Sequence, residues 1–165
     1  MTKKTKLISL ALIALLAISG CSNNAPTESS NSAPAESTAQ TTEDKLSAID
    51  YEALIPNNLT ILPPDSIGET YLNGNYVNST PYPMVAYDLS YMDKGTTEMC
   101  YLYTYETVLP DETSPLLENF APESGDMADI QFQSLSVQFK IDDSRYGVDY
   151  DCRLGEITDI YEIIE

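Results

Sequence analysis

Met84-Val85-Ala86-Tyr87-Asp88-Leu89-Ser90-Tyr91-Met92, joined through Asp93-Lys94-Gly95 to the run from Thr97 to Val108, decides the fold of this chain. In the first run Val85, Tyr87, Leu89 and Tyr91 alternate with Ala86, Asp88 and Ser90. In the second, Met99, Tyr101, Tyr103 and Tyr105 alternate with Cys100, Leu102 and Thr104. A period of two marks strands that turn one face to a core, and the short connection containing glycine makes the pair a hairpin. The turn decides which side chains share a face, because a slip of one residue turns a whole strand over. A two-residue Lys94-Gly95 turn sets Leu89 opposite Cys100 and Tyr87 opposite Leu102, leaving Tyr101, Tyr103 and Tyr105 beside Asp88 and Ala86 on the other face. A type I turn with a glycine bulge sets Leu89 against Met99 and Tyr87 against Tyr101, which pools the aromatics on one buried face. Lysine is poor at the positive φ of a type I′ turn, so the bulged turn is the expectation.

The same period recurs downstream. Leu135, Val137, Phe139 and Ile141 share one strand face, while Ile130 and Phe132 fall out of phase, so a bulge is expected near Gln133-Ser134. Asp142 to Arg145 turns the chain into Tyr146, Val148, Tyr150, Cys152 and Leu154, a second hairpin. Residues 155–165 fit either a helix stripe (Ile157, Ile160, Tyr161, Ile164) or a strand, and their isoleucine content favours the strand. Upstream, Leu46, Ile49 and Ala53 predict a short helix from Lys45 to Leu54, and Leu59 to Leu62 a short strand. Asp65-Ser66 is expected to cap a brief turn of helix, and Asn73-Gly74-Asn75 to turn a small hairpin. Ser114-Pro115 has the order of a helix start, with Leu116, Leu117 and Phe120 to pack. Together these predict a mainly β fold, an antiparallel sandwich or curled sheet with one or two short helices, as a single domain over residues 45–165.

What precedes that domain reads as an address. Lys3, Lys4 and Lys6 lead into an apolar run from Leu7 to Ile18 that is too short for a permanent membrane span. Ile18-Ser19-Gly20-Cys21 follows and resembles the lipobox of bacterial lipoproteins. The resemblance covers residues 1–21 alone. It implies a signal peptide over residues 1–20, cleavage before Cys21, acyl chains on Cys21 and an extracytoplasmic protein anchored by lipid to the bacterial cell membrane. Residues 21–44 are expected to form a disordered tether, since from Ser22 to Glu43 there is no aromatic or large aliphatic residue.

Composition then narrows the chemistry. Removing residues 1–20 removes three lysines and no acid, leaving five basic residues against 26 acids, a net charge of −21. Such a chain is repelled by nucleic acid and by anionic headgroups. It contains no histidine, the commonest general base and a frequent zinc ligand. Cys100 and Cys152 are the remaining cysteines. In an exported chain they are expected to form a disulfide, closing a loop of about 50 residues worth ~4 kcal/mol in chain-entropy terms.

Two clusters stand out as candidates. Tyr101, Tyr103 and Tyr105 offer stacking area to sugars or protein surfaces if they face solvent, and serve as core filler if they do not. Asp142, Asp143, Asp149 and Asp151 offer oxygen ligands for Ca²⁺, but the twelfth position from Asp142 is Arg153 rather than the glutamate of an EF-hand, so they read as solvated turn acids. No phosphate-binding glycine loop or Gly-x-Ser-x-Gly elbow is present. The expectation is therefore a non-enzymatic binding module for an envelope protein, basic ligand or glycan, with no metal or cofactor. The alternatives are a carboxylate-dependent glycan hydrolase and an accessory or inhibitory subunit of an envelope complex.

Overall fold

The computed structural model describes residues 40–164. The expected signal peptide, Cys21 and the tether as far as residue 39 lie outside the described residues. Among the described residues one α-helix, Thr42–Ser47 (α1), precedes eight strands: Thr60–Ile61 (β1), Tyr71–Gly74 (β2), Met84–Asp93 (β3), Met99–Thr104 (β4), Leu117–Phe120 (β5), Ile130–Ile141 (β6), Ser144–Asp151 (β7) and Glu156–Ile163 (β8). They form two antiparallel sheets, one of three strands in the order β1-β2-β5 and one of five in the order β4-β3-β6-β7-β8. The fold is mainly β, as the alternating runs require.

The core lies on one face of the larger sheet. Tyr87, Leu89 and Tyr91 of β3, Leu102 of β4, Leu135, Val137 and Phe139 of β6, and Val148 and Tyr150 of β7 are buried there. Leu46, Tyr51 and Leu54 from the N-terminal segment join them, as do Leu72 of β2 and Leu117 of β5. Each such side chain contributes roughly 1.5–3 kcal/mol on burial. Sheet contacts continue at the margin, where Asn119 of β5 donates from Nδ2 to the Tyr101 carbonyl at 2.6 Å and the Tyr91 hydroxyl donates to the Phe120 carbonyl.

The β3–β4 hairpin has neither of the two registers considered above. Leu89 stands opposite Leu102 and Tyr91 opposite Cys100. The faces are those of the two-residue turn, but the loop is longer, running through Lys94-Gly95-Thr96-Thr97. The positive φ falls on Thr97, at 64°, and the Thr97 amide closes the loop on the Asp93 carbonyl. Asp93 supports this route, its Oδ1 accepting from the Gly95 amide and its Oδ2 from the Thr96 hydroxyl. The bulged-turn expectation fails because this carboxylate holds a wider loop than the glycine alone suggested.

Downstream, β6 pairs with β3 through a register shift between Ser90 and Tyr91, where Gln133 is the extra residue, at the expected bulge. β6 and β7 form the second hairpin, and the tail is a strand, β8.

Four local expectations are corrected. The helix is α1, capped reciprocally by Thr41 and Asp44, and a separate 3₁₀ turn covers Glu52–Leu54. Asp50 splits the expected helix by accepting the Ala53 amide, a local bond that competes with the helical ladder. Asp65 forms a loop rather than a helical turn, its carboxylate accepting the Ile67 and Glu69 amides. Gly74 ends strand β2 instead of making a turn: a Cβ there would lie 2.8 Å from the Leu59 side chain, so glycine serves a close approach. The segment after Ser114-Pro115 is β5, not a helix, because the Ser114 hydroxyl donates to the Pro115 carbonyl and accepts the Tyr76 amide, and β5 pairs along β2.

Candidate functional site

Strand parity fixes the face of the larger sheet that turns away from the core. Tyr101 and Tyr103 of β4 lie opposite Ser90 and Asp88 of β3, and these in turn lie opposite Ser134 and Ser136 of β6. Asp151 and Asp149 of β7 continue the same rows. The result is a polar floor with tyrosines along its β4 edge. Tyr101 is 44%, Tyr103 55% and Tyr105 73% exposed, whereas Tyr87 and Tyr91 of the same hairpin are 0% exposed. The Tyr103 and Tyr105 rings sit 5.8 Å apart between centroids, tilted by 48°.

The floor is internally organised. The Ser90 and Ser134 hydroxyls meet at 2.7 Å, and the Ser134 amide donates to Ser90 Oγ at 3.0 Å. Ser136 donates to Asp149 Oδ1 at 2.7 Å, which leaves that carboxylate with free acceptor capacity. Asp88 is half-buried between Tyr103 and Ser136, and desolvation raises its pKa above the usual carboxylate range.

A fourth tyrosine borders the opposite edge. Tyr161 of β8 pairs with Gly147 of β7, and its ring fills the space above that glycine: a Cβ at Gly147 would meet the ring at 2.3 Å. Burial raises the Tyr161 pKa, the Asp149 charge adds to the rise, and a hydrogen bond with Ser136 opposes it. The two aromatic edges are separated by four strand spacings, about 19 Å. Tyr161 escaped the sequence reading because residues 155–165 lacked a settled period. Its signal was Gly147, a glycine inside an alternating strand, which marks a close approach.

The expected disulfide is not formed, and the sheet explains why. Cys100 lies opposite Tyr91, Tyr91 opposite Phe132, and the Cys152 amide bonds to the neighbouring Gln133 carbonyl. Three strand spacings, about 14 Å, therefore separate the cysteines, against a limit of about 7 Å between bridged Cα atoms. Both are free thiols. Burial pushes the Cys152 thiol up to about 11 and raises Cys100 as well.

The four aspartates do not converge. Asp142 and Asp143 make the β6–β7 turn, while Asp151 ends β7 at the other end of the strand. The Asp151 carboxylate accepts the Arg153 and Leu154 amides and pairs with the Arg153 guanidinium at 3.3 Å. Asn78 is buried and donates from Nδ2 to the Tyr82 and Val108 carbonyls, so it serves as a loop anchor.

Comparison with protein-family models, with curated proteins and with solved structures finds no match to this chain.

Proposed function

We propose that this chain is a lipid-anchored, extracytoplasmic binding module that holds an uncharged glycan on the outer face of its five-stranded sheet. The observation that carries this reading is the exposure of Tyr101, Tyr103 and Tyr105 in a row while Tyr87 and Tyr91 are sealed in the core. Tyrosine rings on a rigid sheet stack on the apolar faces of sugars at low entropic cost. Asp88 stands directly opposite Tyr103, and Ser134 and Asp149 carry further hydroxyl and carboxylate groups across the same face. The formal charge of −18 disfavours an anionic polymer. In this reading Cys21 carries the lipid anchor and the segment after it holds the domain away from the membrane.

The test is a glycan-array or affinity-gel measurement with purified envelope polysaccharides. Single alanine substitutions at Tyr101, Tyr103 and Tyr105 should each weaken retention about fivefold or more, at ~1–1.5 kcal/mol per stacked ring. Retention unchanged in the triple variant sinks the glycan reading. Binding to a protein alone moves the face to protein recognition.

A second reading, a glycan hydrolase, draws on Asp88 and Asp149. They lie on this face with Ser136 between them, two strand spacings or about 10 Å apart at Cα. That separation approaches the range for inverting glycosidases, about 6.5–9.5 Å between carboxyl groups. Shortening of the bound glycan by the unaltered chain, lost in Asp88→Asn, would replace the binding reading with this one.

A further inference from the structure

A cleft of about 970 Å³ opens between the tip of the β3–β4 hairpin, the loop after β1 and the segment following β5. None of Tyr101, Tyr103 and Tyr105 lines it, so it is separate from the outer face. Ile61, Phe120 and Pro122 give it apolar walls, and Phe120 is exposed with its ring stacked on Tyr71 at 5.5 Å. Glu69, Glu98 and Glu123 also line it, and among the described residues no lysine or arginine does. Its shape is pre-formed by Asp93, whose Oδ2 accepts the Glu123 amide at 3.2 Å and whose Oδ1 holds the hairpin loop through Gly95. Asp93 is thereby committed to building the wall, while the three glutamates are available to a ligand.

We propose that this cleft is a second binding site, which takes an arginine side chain of a basic peptide. The occupant follows from charge complementarity combined with the walls. A guanidinium on a three-carbon stem can lay its stem on Ile61 and Pro122, set its plane against the Phe120 ring and meet carboxylates at the rim. A neutral apolar ligand would leave three carboxylates partly desolvated without a partner, and an anion would be repelled. The cleft also contains the free thiol of Cys100, which gives occupancy a reporter.

The experiment is titration of a capped tetra-arginine peptide into the full chain in a non-ionic detergent, followed by calorimetry. In parallel, the rate of iodoacetamide alkylation at Cys100 and Cys152 is read by peptide mapping. Combined Glu69→Gln, Glu98→Gln and Glu123→Gln should weaken binding about tenfold, and Phe120→Ala about three- to fivefold. Neutralising three carboxylates outside the cleft, Asp142→Asn, Asp143→Asn and Asp159→Asn, should change it less than about twofold. The peptide should slow alkylation of Cys100 and leave Cys152 unchanged. Equal losses from the two triple variants, or unaltered Cys100 labelling at saturating peptide, would overturn the proposal by showing general attraction to an acidic surface. The outer-face tyrosine variants should bind the peptide normally, so failure here and failure of the glycan reading are distinguishable.

Discussion

Tyr87 and Tyr103 occupy adjacent strands of one hairpin and end on opposite sides of it. Tyr87 is sealed beneath the sheet, stacked on Tyr76 at 4.0 Å between ring centroids, and its hydroxyl donates to the Leu54 carbonyl. Tyr103 points away from the core, beside the tilted ring of Tyr105. The residue type is the same and the strands are hydrogen-bonded neighbours, so composition does not separate them. What separates them is register, because Leu89 stands opposite Leu102 and each tyrosine of β4 therefore falls on the face opposite the tyrosines of β3. A tyrosine-rich hairpin can thus supply both a core and an exposed aromatic face.

That contrast can be broken most directly by truncation. Tyr87→Ala should cost about 4 kcal/mol of stability, the range for deleting a large buried ring. Tyr103→Ala should stay within about 0.5 kcal/mol, as for a surface residue. Denaturant unfolding monitored by circular dichroism compares them, and equal losses would show that the two faces are not divided as described.

The core side sharpens further at the hydroxyls. Tyr87→Phe removes the bond to Leu54 and should destabilise by about 1 kcal/mol. Tyr76→Phe should do the reverse and stabilise by about 1 kcal/mol, because the buried Tyr76 hydroxyl has no hydrogen-bond partner among the described residues. Opposite signs for the same chemical change, read from thermal midpoints, are the expected result.

On the outer face the smallest effect is electrostatic and depends on pH. Burial raises the pKa of Asp88 above its ordinary value of 3.8. The native state therefore holds that proton more tightly than the unfolded chain does, and stability falls as pH rises from the unfolded pKa through the folded one. Asp88→Asn should be more stable than the unaltered chain at neutral pH, with the difference shrinking to nothing below about pH 4. A gain that persists unchanged at low pH would mean that ionisation is not its source.

Much of this fold is legible in the sequence, and what is not legible has physical causes. The alternations around Tyr87, Tyr101, Val137 and Val148 announced four of the five strands of the larger sheet, because a half-buried strand must repeat every two residues. The phase break at Phe132 announced the bulge. Short segments are less legible. Gly74 and Ser114 carry turn and cap chemistry in isolation, yet a neighbouring leucine and a neighbouring amide redirected both. In the site, Tyr101, Tyr103 and Tyr105 were candidates from spacing alone, while Tyr161 needed the pairing of β8 with β7 to appear beside them.

The sequence by itself determined what depends on residue type and near neighbours: the β class, the hairpins, the acidity, the absence of histidine and the resemblance of Ile18-Ser19-Gly20-Cys21 to a lipidation site. Only the tertiary structure decided what depends on strand order. It set Cys100 and Cys152 three strands apart, turned the β4 tyrosines outward and brought Asp88, Ser136, Asp149 and Tyr161 onto one surface. The reason is that a strand's own pattern specifies a buried face, whereas its register and its neighbours come from contacts distant in the chain, and no local period encodes them.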